Sequence, residues 1–316
     1  MTKLLESLSP LRLGFGGAAI SGEGGGYGFG DISEQDAINL LHCALERGVK
    51  VFDTAPIYGF GLSEKRMGKA FKGRRDDAFL ISKSGVSWHE NQRINMTNDP
   101  KETEKMLHQS LKDLQTEYID LYMIHWPDER VDIRKPMEVL AKAKHDGKIK
   151  YIGLCNTFEE DCDKALEIDS IDVLQCQMNF FEREVEEKLF KYMNKNEMSF
   201  MSWGTLDKGI LTKPIEEKPK YDKSDCRSWA PWWKKADNTH KFESLKKISP
   251  MLKEHGHTML ELALGHNLSH KEVSMILCGA KSIKQLEGLF TAMDNRPAQT
   301  ILDEASSLIV AAGKNY

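Results

Sequence analysis

The chain has 316 residues, 40% of them hydrophobic, and a formal net charge of −4 at pH 7. That allows a large core and leaves no basic footprint for nucleic acid. No leader resembling a signal peptide opens the chain, no run approaches the ~20 apolar residues of a membrane span, and the six cysteines show no CxxC pair, which together point to a soluble cytoplasmic protein with reduced thiols.

Leu11 to Gly17 is a short apolar segment ending in glycines. The sequence leaves it as either a partner of the last strand or a hairpin plugging a barrel floor. Ser21 to Gly30 is glycine-rich, but its helix waits until Ser33. A dinucleotide fingerprint needs the third glycine to open the helix directly, so the stretch reads as a mobile loop. From Ser33 the chain alternates. Helical spacing covers 33–47, 63–72, 100–114, 136–145, 159–168, 184–194, 241–255, 259–268, 283–293 and 300–312. Short apolar strands cover 49–55, 78–82, 119–125, 149–155, 173–178, 199–203 and 273–278. Ser63 is placed as the N-cap of its helix, with Glu64 in the first turn. The strands suit a sheet buried on both faces. About eight strand-then-helix units without a linker favour a single closed (β/α)8 TIM barrel of class α/β over an open doubly wound sheet.

One long loop, about 206–240, ends in CRSWAPWWKK. Loops of that length are functional or disordered, and three tryptophans within five residues argue against disorder.

In a barrel, polar residues at the C-terminal strand ends face the active site. Those positions carry Asp53 and Tyr58, then Lys83, then His125 with Trp126, then Asn156, Gln177, Trp203, Lys281 and Ser282. Singly, each has a plain explanation: Asp and Asn form turns, Tyr packs, and Lys is solvated. Lys83 follows Phe79-Leu80-Ile81, so its stem should be buried and its ammonium needs an acidic partner, which Asp53 could supply. That ammonium would pull the Tyr58 pKa down from about 10 and make Tyr58 a tunable proton donor. His125 could bond the same substrate oxygen. No metal set is expected, because the histidines are read as lacking an HxxxH spacing near a carboxylate.

At these residues the chain resembles the aldo-keto reductase superfamily, and most closely its bacterial sugar and general carbonyl reductase branches. The matching pieces are FDTAPIYGFGLSEKRMGKA, LISKSG, EYIDLYMIHWP, GKIKYIGLCN, QCQMNFFER, WGTLDKGILT and ILCGAKSIKQLEG. The resemblance implies one barrel domain over 1–316, with 206–240 as a variable substrate and cofactor loop. It implies a catalytic tetrad of Asp53, Tyr58, Lys83 and His125. It implies reduction of an aldehyde or ketone by NADPH, with NAD less favoured and Tyr58 protonating the oxygen.

By the same resemblance, Asn156 and Gln177 hold the nicotinamide carboxamide. Trp203 stacks on the ring where the family commonly has Tyr. Thr205, Leu206, Lys208 and Gly209 cover the pyrophosphate, and Gly279, Lys281, Ser282 and Gln285 hold the adenosine side.

Trp88, Trp126, Trp229, Trp232 and Trp233 could wall a substrate site for a sugar, and Arg227, Lys234 and Lys235 could meet an anionic group on it. A lid packing on itself competes for the loop. Two other classes stand beside the reductase: a Schiff-base lyase using Lys83, and a nicotinamide-binding module of the channel-subunit type. Oligomeric state and the physiological substrate are not set by the sequence.

Overall fold

The computed structural model describes residues 3–213 and 220–311. Within them the strands are β1 Leu13–Gly16, β2 Val51–Asp53, β3 Phe79–Ser84, β4 Val86–Trp88, β5 Ile94–Met96, β6 Ile119–Ile124, β7 Ile149–Cys155, β8 Val173–Gln177, β9 Ser199–Trp203 and β10 Val273–Cys278. The helices are α1 Leu4–Leu8, α2 Glu34–Glu46, α3 Leu62–Ala70, α4 Pro100–Asp113, α5 Arg134–His145, α6 Glu159–Leu166, α7 Glu184–Lys188, α8 Phe190–Lys195, α9 Pro231–Lys234, α10 Thr239–Glu254, α11 Met259–Ser269, α12 Ile283–Asp294 and α13 Gln299–Ser307. No helix among the described residues is long and apolar enough to cross a membrane.

Eight parallel strands close into a barrel in the order β1-β10-β9-β8-β7-β6-β3-β2. The first glycine-ended segment is therefore a stave: Leu13 pairs with Ile276 and Phe15 with Phe52. The floor is plugged by α1, where buried Leu5 joins Val51, Phe79, Leu121 and Val173 in the barrel interior. The Leu5 amide donates to Ser199 Oγ. The sequence offered no sign of this, because the turn that carries Leu5 is short. The expected helix over 184–194 is broken at Leu189, whose φ of −120° separates α7 from α8.

Strand parity sets the layers. Phe52, Leu80, Tyr122, Leu174 and Phe200 point outward into the larger core beneath the helices. Their neighbours Val51, Ile81, Leu121, Val173 and Met201 fill the barrel. The helices start where local chemistry requires. Asp99 caps α4 ahead of Pro100, and Thr258 with Glu261 forms a reciprocal capping box on α11. α3 differs from the expected start. Gly61 in the left-handed region precedes it, and Ser63 is buried inside its first turn. There the Ser63 hydroxyl donates to Gly17 O and accepts from Thr54 Oγ1, tying α3 to β1 and β2.

The glycine-rich stretch is packed in place rather than loose. A Cβ on Gly22 would fall 1.9 Å from the Gly30 carbonyl oxygen, so only glycine fits that crossing. Buried Arg66 secures the stretch by donating to the carbonyls of Ile20 and Ile32 and pairing with Glu23.

Candidate active site

The parity that puts Ile81 and Met123 into the barrel interior carries Asp53, Lys83 and Gln175 to the layer above, at the C-terminal strand ends. Lys83 is fully buried, and its ammonium donates to Asp53 Oδ2 at 2.6 Å and to the Thr54 carbonyl at 2.9 Å. Gln175 donates to the same Asp53 oxygen at 2.8 Å. Cys155 Sγ closes the set by donating to Gln175 Oε1 at 3.3 Å. A buried ammonium and carboxylate tolerate that place because they face each other and each has a further polar partner, the Thr54 carbonyl for Lys83 and the Gln175 amide for Asp53.

Tyr58 stands above this pair on a tight turn. The turn is held by Gly61 N–H to Pro56 O and Ser63 N–H to Tyr58 O, with a bridge to Gly26. The Lys83 ammonium lies 5.7 Å from the Tyr58 ring centroid. The His125 ring meets the Tyr58 ring edge-on at 5.9 Å. The structure thus brings all four expected residues together.

The expected downward pull on Tyr58 is overturned. Burial, and after it the Asp53 charge, push the phenol well above its ordinary value. Burial, then the Lys83 charge, hold His125 well below the ordinary imidazole value, so it is neutral at pH 7.

The residues expected on the cofactor side lie at the ends of β7, β8, β9 and β10 and in the segments that follow them. Asn156, at φ 55°, donates to the His125 carbonyl at 3.0 Å and accepts from Trp203 Nε1 at 2.9 Å. Trp203 sits edge-on to Trp126 at 6.3 Å and opposite Gln177 in register. Thr205 is buried against Ser202. After Leu206 the backbone turns left-handed through Asp207, Lys208 and Gly209. The turn is braced from below, because Lys241 pairs with both Asp207 and Glu182. Gly279 lies so close to Gly16 and Ala19 that a Cβ there would clash at 2.7 Å. Lys281 Nζ reaches over Gly30. Ser282 and Gln285 have local duties: Ser282 caps α12, and Gln285 Oε1 accepts from the Lys281 amide.

The proposed substrate walls divide. Trp88 packs against Phe60 at 5.1 Å, in the same small cluster as Tyr58. Trp126, Trp229 and Trp232 are exposed. Tyr27 packs against both Trp229 (5.6 Å) and Trp232 (6.4 Å). Trp233 is not part of the wall: it is buried in a core cluster with Phe180 and Leu245 and meets Tyr221 edge-on.

Arg227 does not present a free cation. Its guanidinium is taken by Asp225 and the Lys208 carbonyl and lies over Tyr221 at 3.8 Å. The Trp-rich segment is docked on the glycine-rich one through Cys226 N–H to Gly28 O and a Phe29–Asp225 bridge. Residues 214–219 of the long loop lie outside the described residues.

Two features escaped the sequence reading. Gln175 shares the inward parity of Gln177, and a polar residue amid VLQCQ was the available signal. The histidines do contain an HxxxH, His266 to His270, and the fold sets Glu186 against it.

A model of the Aldo/keto reductase family matches residues 12–301. "Aldo-keto reductase YhdN" of Bacillus subtilis is 33% identical over 94% of this chain and 91% of that protein. "Aldo-keto reductase yakc [NADP(+)]" of Schizosaccharomyces pombe is 29% identical over 84% and 80%. The "NADH-specific methylglyoxal reductase" of Escherichia coli is 28% identical over 90% of each chain. The glycerol dehydrogenase AKR11B4 of Gluconobacter oxydans superposes with a TM-score of 0.82 at 25% identity, covering 96% of this chain and 94% of that one. The family match spans most of the barrel and every residue of the Asp53–Tyr58–Lys83–His125 cluster, and the chain belongs to the aldo/keto reductase family.

Proposed function

We propose that the chain reduces an aldehyde or ketone with NADPH, with Tyr58 as the general acid. The observation that carries this is the buried Lys83–Asp53 pair at 2.6 Å beneath a tyrosine that also faces a neutral histidine. A substrate oxygen at the Tyr58 hydroxyl would meet a protonated phenol, since burial keeps the proton on Tyr58 at neutral pH. His125 would hydrogen-bond the same oxygen and orient the carbonyl. Lys83 sets a fixed positive charge 5.7 Å from the centre of the Tyr58 ring. Asp53, braced by Gln175, keeps Lys83 in place.

The strand ends beside the cluster suit a nicotinamide dinucleotide. Gln177 offers an amide beside Asn156, whose own amide is tied to the His125 carbonyl and Trp203 Nε1, and Trp203 offers a flat ring. The left-handed run of Asp207, Lys208 and Gly209 keeps the backbone low where a pyrophosphate would pass. Bound there, the dihydronicotinamide supplies hydride to the carbonyl carbon. Lys281 supplies one cation for a 2′-phosphate, which favours NADP.

Lys83 already makes two hydrogen bonds as an ammonium, which disfavours its use as a Schiff-base nucleophile. The exposed Trp126, Trp229 and Trp232 favour a substrate with a flat or hydroxylated apolar face, sugars included. With Arg227 committed internally, an anionic group loses its best partner.

The test is tryptophan-fluorescence titration with NADPH and NADH, followed by a carbonyl panel. Tyr58→Phe should bind NADPH as the parent does and lose about 10²–10⁴ in kcat. Lys281→Ala should weaken NADPH about tenfold and leave NADH unchanged. Equal binding of both nucleotides by the parent would move the assignment to NAD. A Tyr58→Phe protein of full activity would remove Tyr58 as the acid.

A further inference from the structure

We propose that Glu186, His266 and His270 form a binding site for one divalent transition metal of the zinc class, which clamps α7 to α11 outside the barrel. The site rests on residues separate from the reductase cluster and does not depend on the catalytic reading.

His266 lies in the last turn of α11 and His270 is its C-cap, where the backbone turns extended; their rings meet edge-on with centroids 5.2 Å apart. Glu186 comes from α7 on the other side. Glu186 Oε1 lies 3.4 Å from His266 Nε2 and 3.6 Å from His270 Nε2. The three donor atoms all lie within 4.8 Å of one another. Donors held 2.0–2.2 Å from a tetrahedral zinc sit about 3.4 Å apart, a spacing that the two Glu186–histidine distances match.

A second observation points to a ligand. His266 is only 5% exposed, and its Nε2 and the facing Glu186 Oε1 are both buried without a hydrogen bond among the described residues. Unsatisfied polar atoms in facing pairs are rare in folded proteins, and a shared cation would satisfy both at once. A simple imidazolium–carboxylate pair explains the site less well, because the 3.4 Å approach lacks hydrogen-bond alignment. The rings are held from outside by aromatic edges: Phe180 lies 5.5 Å from His266, and Phe190 lies 5.6 Å from His270.

Glu186 and His270 keep about a quarter of their side-chain surface open, which gives an ion a path in and leaves a coordination position for water. Two imidazoles and one carboxylate select zinc, cobalt or nickel over magnesium or calcium, which take all-oxygen sets.

The clamp would fix a segment already held at its other end. Asn267, beside His266, donates to the Met178 carbonyl and to Ser202 Oγ. Asn179 in turn donates to the Gly204 carbonyl. A metal at Glu186 therefore secures the far end of the 178–186 connection, whose near end supports the loop after β9.

The full chain, stripped with EDTA, is titrated with Zn²⁺ by calorimetry and with Co²⁺ by visible absorption. One equivalent per chain and a tetrahedral Co²⁺ spectrum are expected. Tm should rise by about 5 °C at ~100-fold excess over Kd. Glu186→Gln and His270→Asn should each weaken binding at least tenfold while melting near the parent in EDTA. Mg²⁺ should give no shift. Absence of uptake by the parent overturns the site. So does equal binding by parent and both variants, which would place the ion on exposed histidines or thiols instead. A Mg²⁺ shift matching that of Zn²⁺ overturns the metal class.

Discussion

Gln175 and Lys83 share one acceptor: both donate to Oδ2 of Asp53, at 2.8 and 2.6 Å, from opposite sides of the barrel interior. Asp53 is thus oriented by a neutral amide as well as by the ion pair. Gln175→Leu is expected to keep the Lys83 contact, to destabilise the fold by about 1–3 kcal/mol, and to lower kcat severalfold without changing cofactor affinity. Urea unfolding and steady-state kinetics check this.

Breaking the pair itself should cost far more. Lys83→Met leaves a buried carboxylate without its cation, expected at about 3–5 kcal/mol, with kcat down by 10² or more. Asp53→Asn combined with Lys83→Met removes both charges. The double variant should regain much of the stability while remaining inactive. A double variant as unstable as the single one would show that the pair is not the cause.

The pH dependence follows from two opposite shifts. The Tyr58 pKa is raised by burial first and by Asp53 next, so its proton is present through the neutral range and beyond. The His125 pKa is lowered by burial first and by Lys83 next, so it does not charge near pH 6.5. Carbonyl reduction should therefore hold steady between about pH 6 and 9, while alcohol oxidation, which needs the phenolate, rises toward alkaline pH. A break in reductive kcat/KM near pH 6.5 would contradict the His125 assignment.

Glu64 predicts a pH effect on stability. It is fully buried on α3, its Oε1 accepts from Ser82 at 2.6 Å, and its Oε2 has no partner among the described residues. Burial raises its pKa to about 7. A raised carboxyl pKa gives stability that is complete below the unfolded value near 4.3 and is lost as pH rises to about 7. Glu64→Gln keeps the acceptor and cannot ionise. It should be more stable than the parent at pH 8, by about 3 kcal/mol at most, and equal to it near pH 4.5. Thermal melts at the two pH values decide the matter.

Arg227 should behave as a brace. Arg227→Lys loses the forked contact with Asp225 and the stack on Tyr221. KM values for neutral and anionic carbonyl substrates should then shift together. A selective loss of anionic substrates would return Arg227 to the substrate site.

The sequence was legible where period and chemistry agreed. Short apolar strands ending in Asp53, Lys83 and His125 placed a barrel and its polar layer, because parity leaves an inward side chain at a strand end only one place to go. It was silent where partners are distant. Leu5 plugs the floor from a five-residue helix too short to show a period. Ser63 looked like a cap because it opens a helical run, yet Gly61 takes the left-handed turn and Ser63 turns inward. Trp233 and Arg227 carried the composition of a binding wall, but only the fold shows one in a core and the other spent on Asp225. The direction of the Tyr58 shift needed the burial around it, which neighbours in sequence do not state.

Tyr27, packed against Trp229 and Trp232, joins two segments that lie far apart in the sequence. A chimera that imports only the Trp-rich segment of a relative would lose that aromatic seat and the Cys226–Gly28 bond beneath it. On the proposed reading, in which these tryptophans face the substrate, specificity is inherited as a matched couple. Loop grafting should succeed only when the glycine-rich stretch travels with its tryptophans.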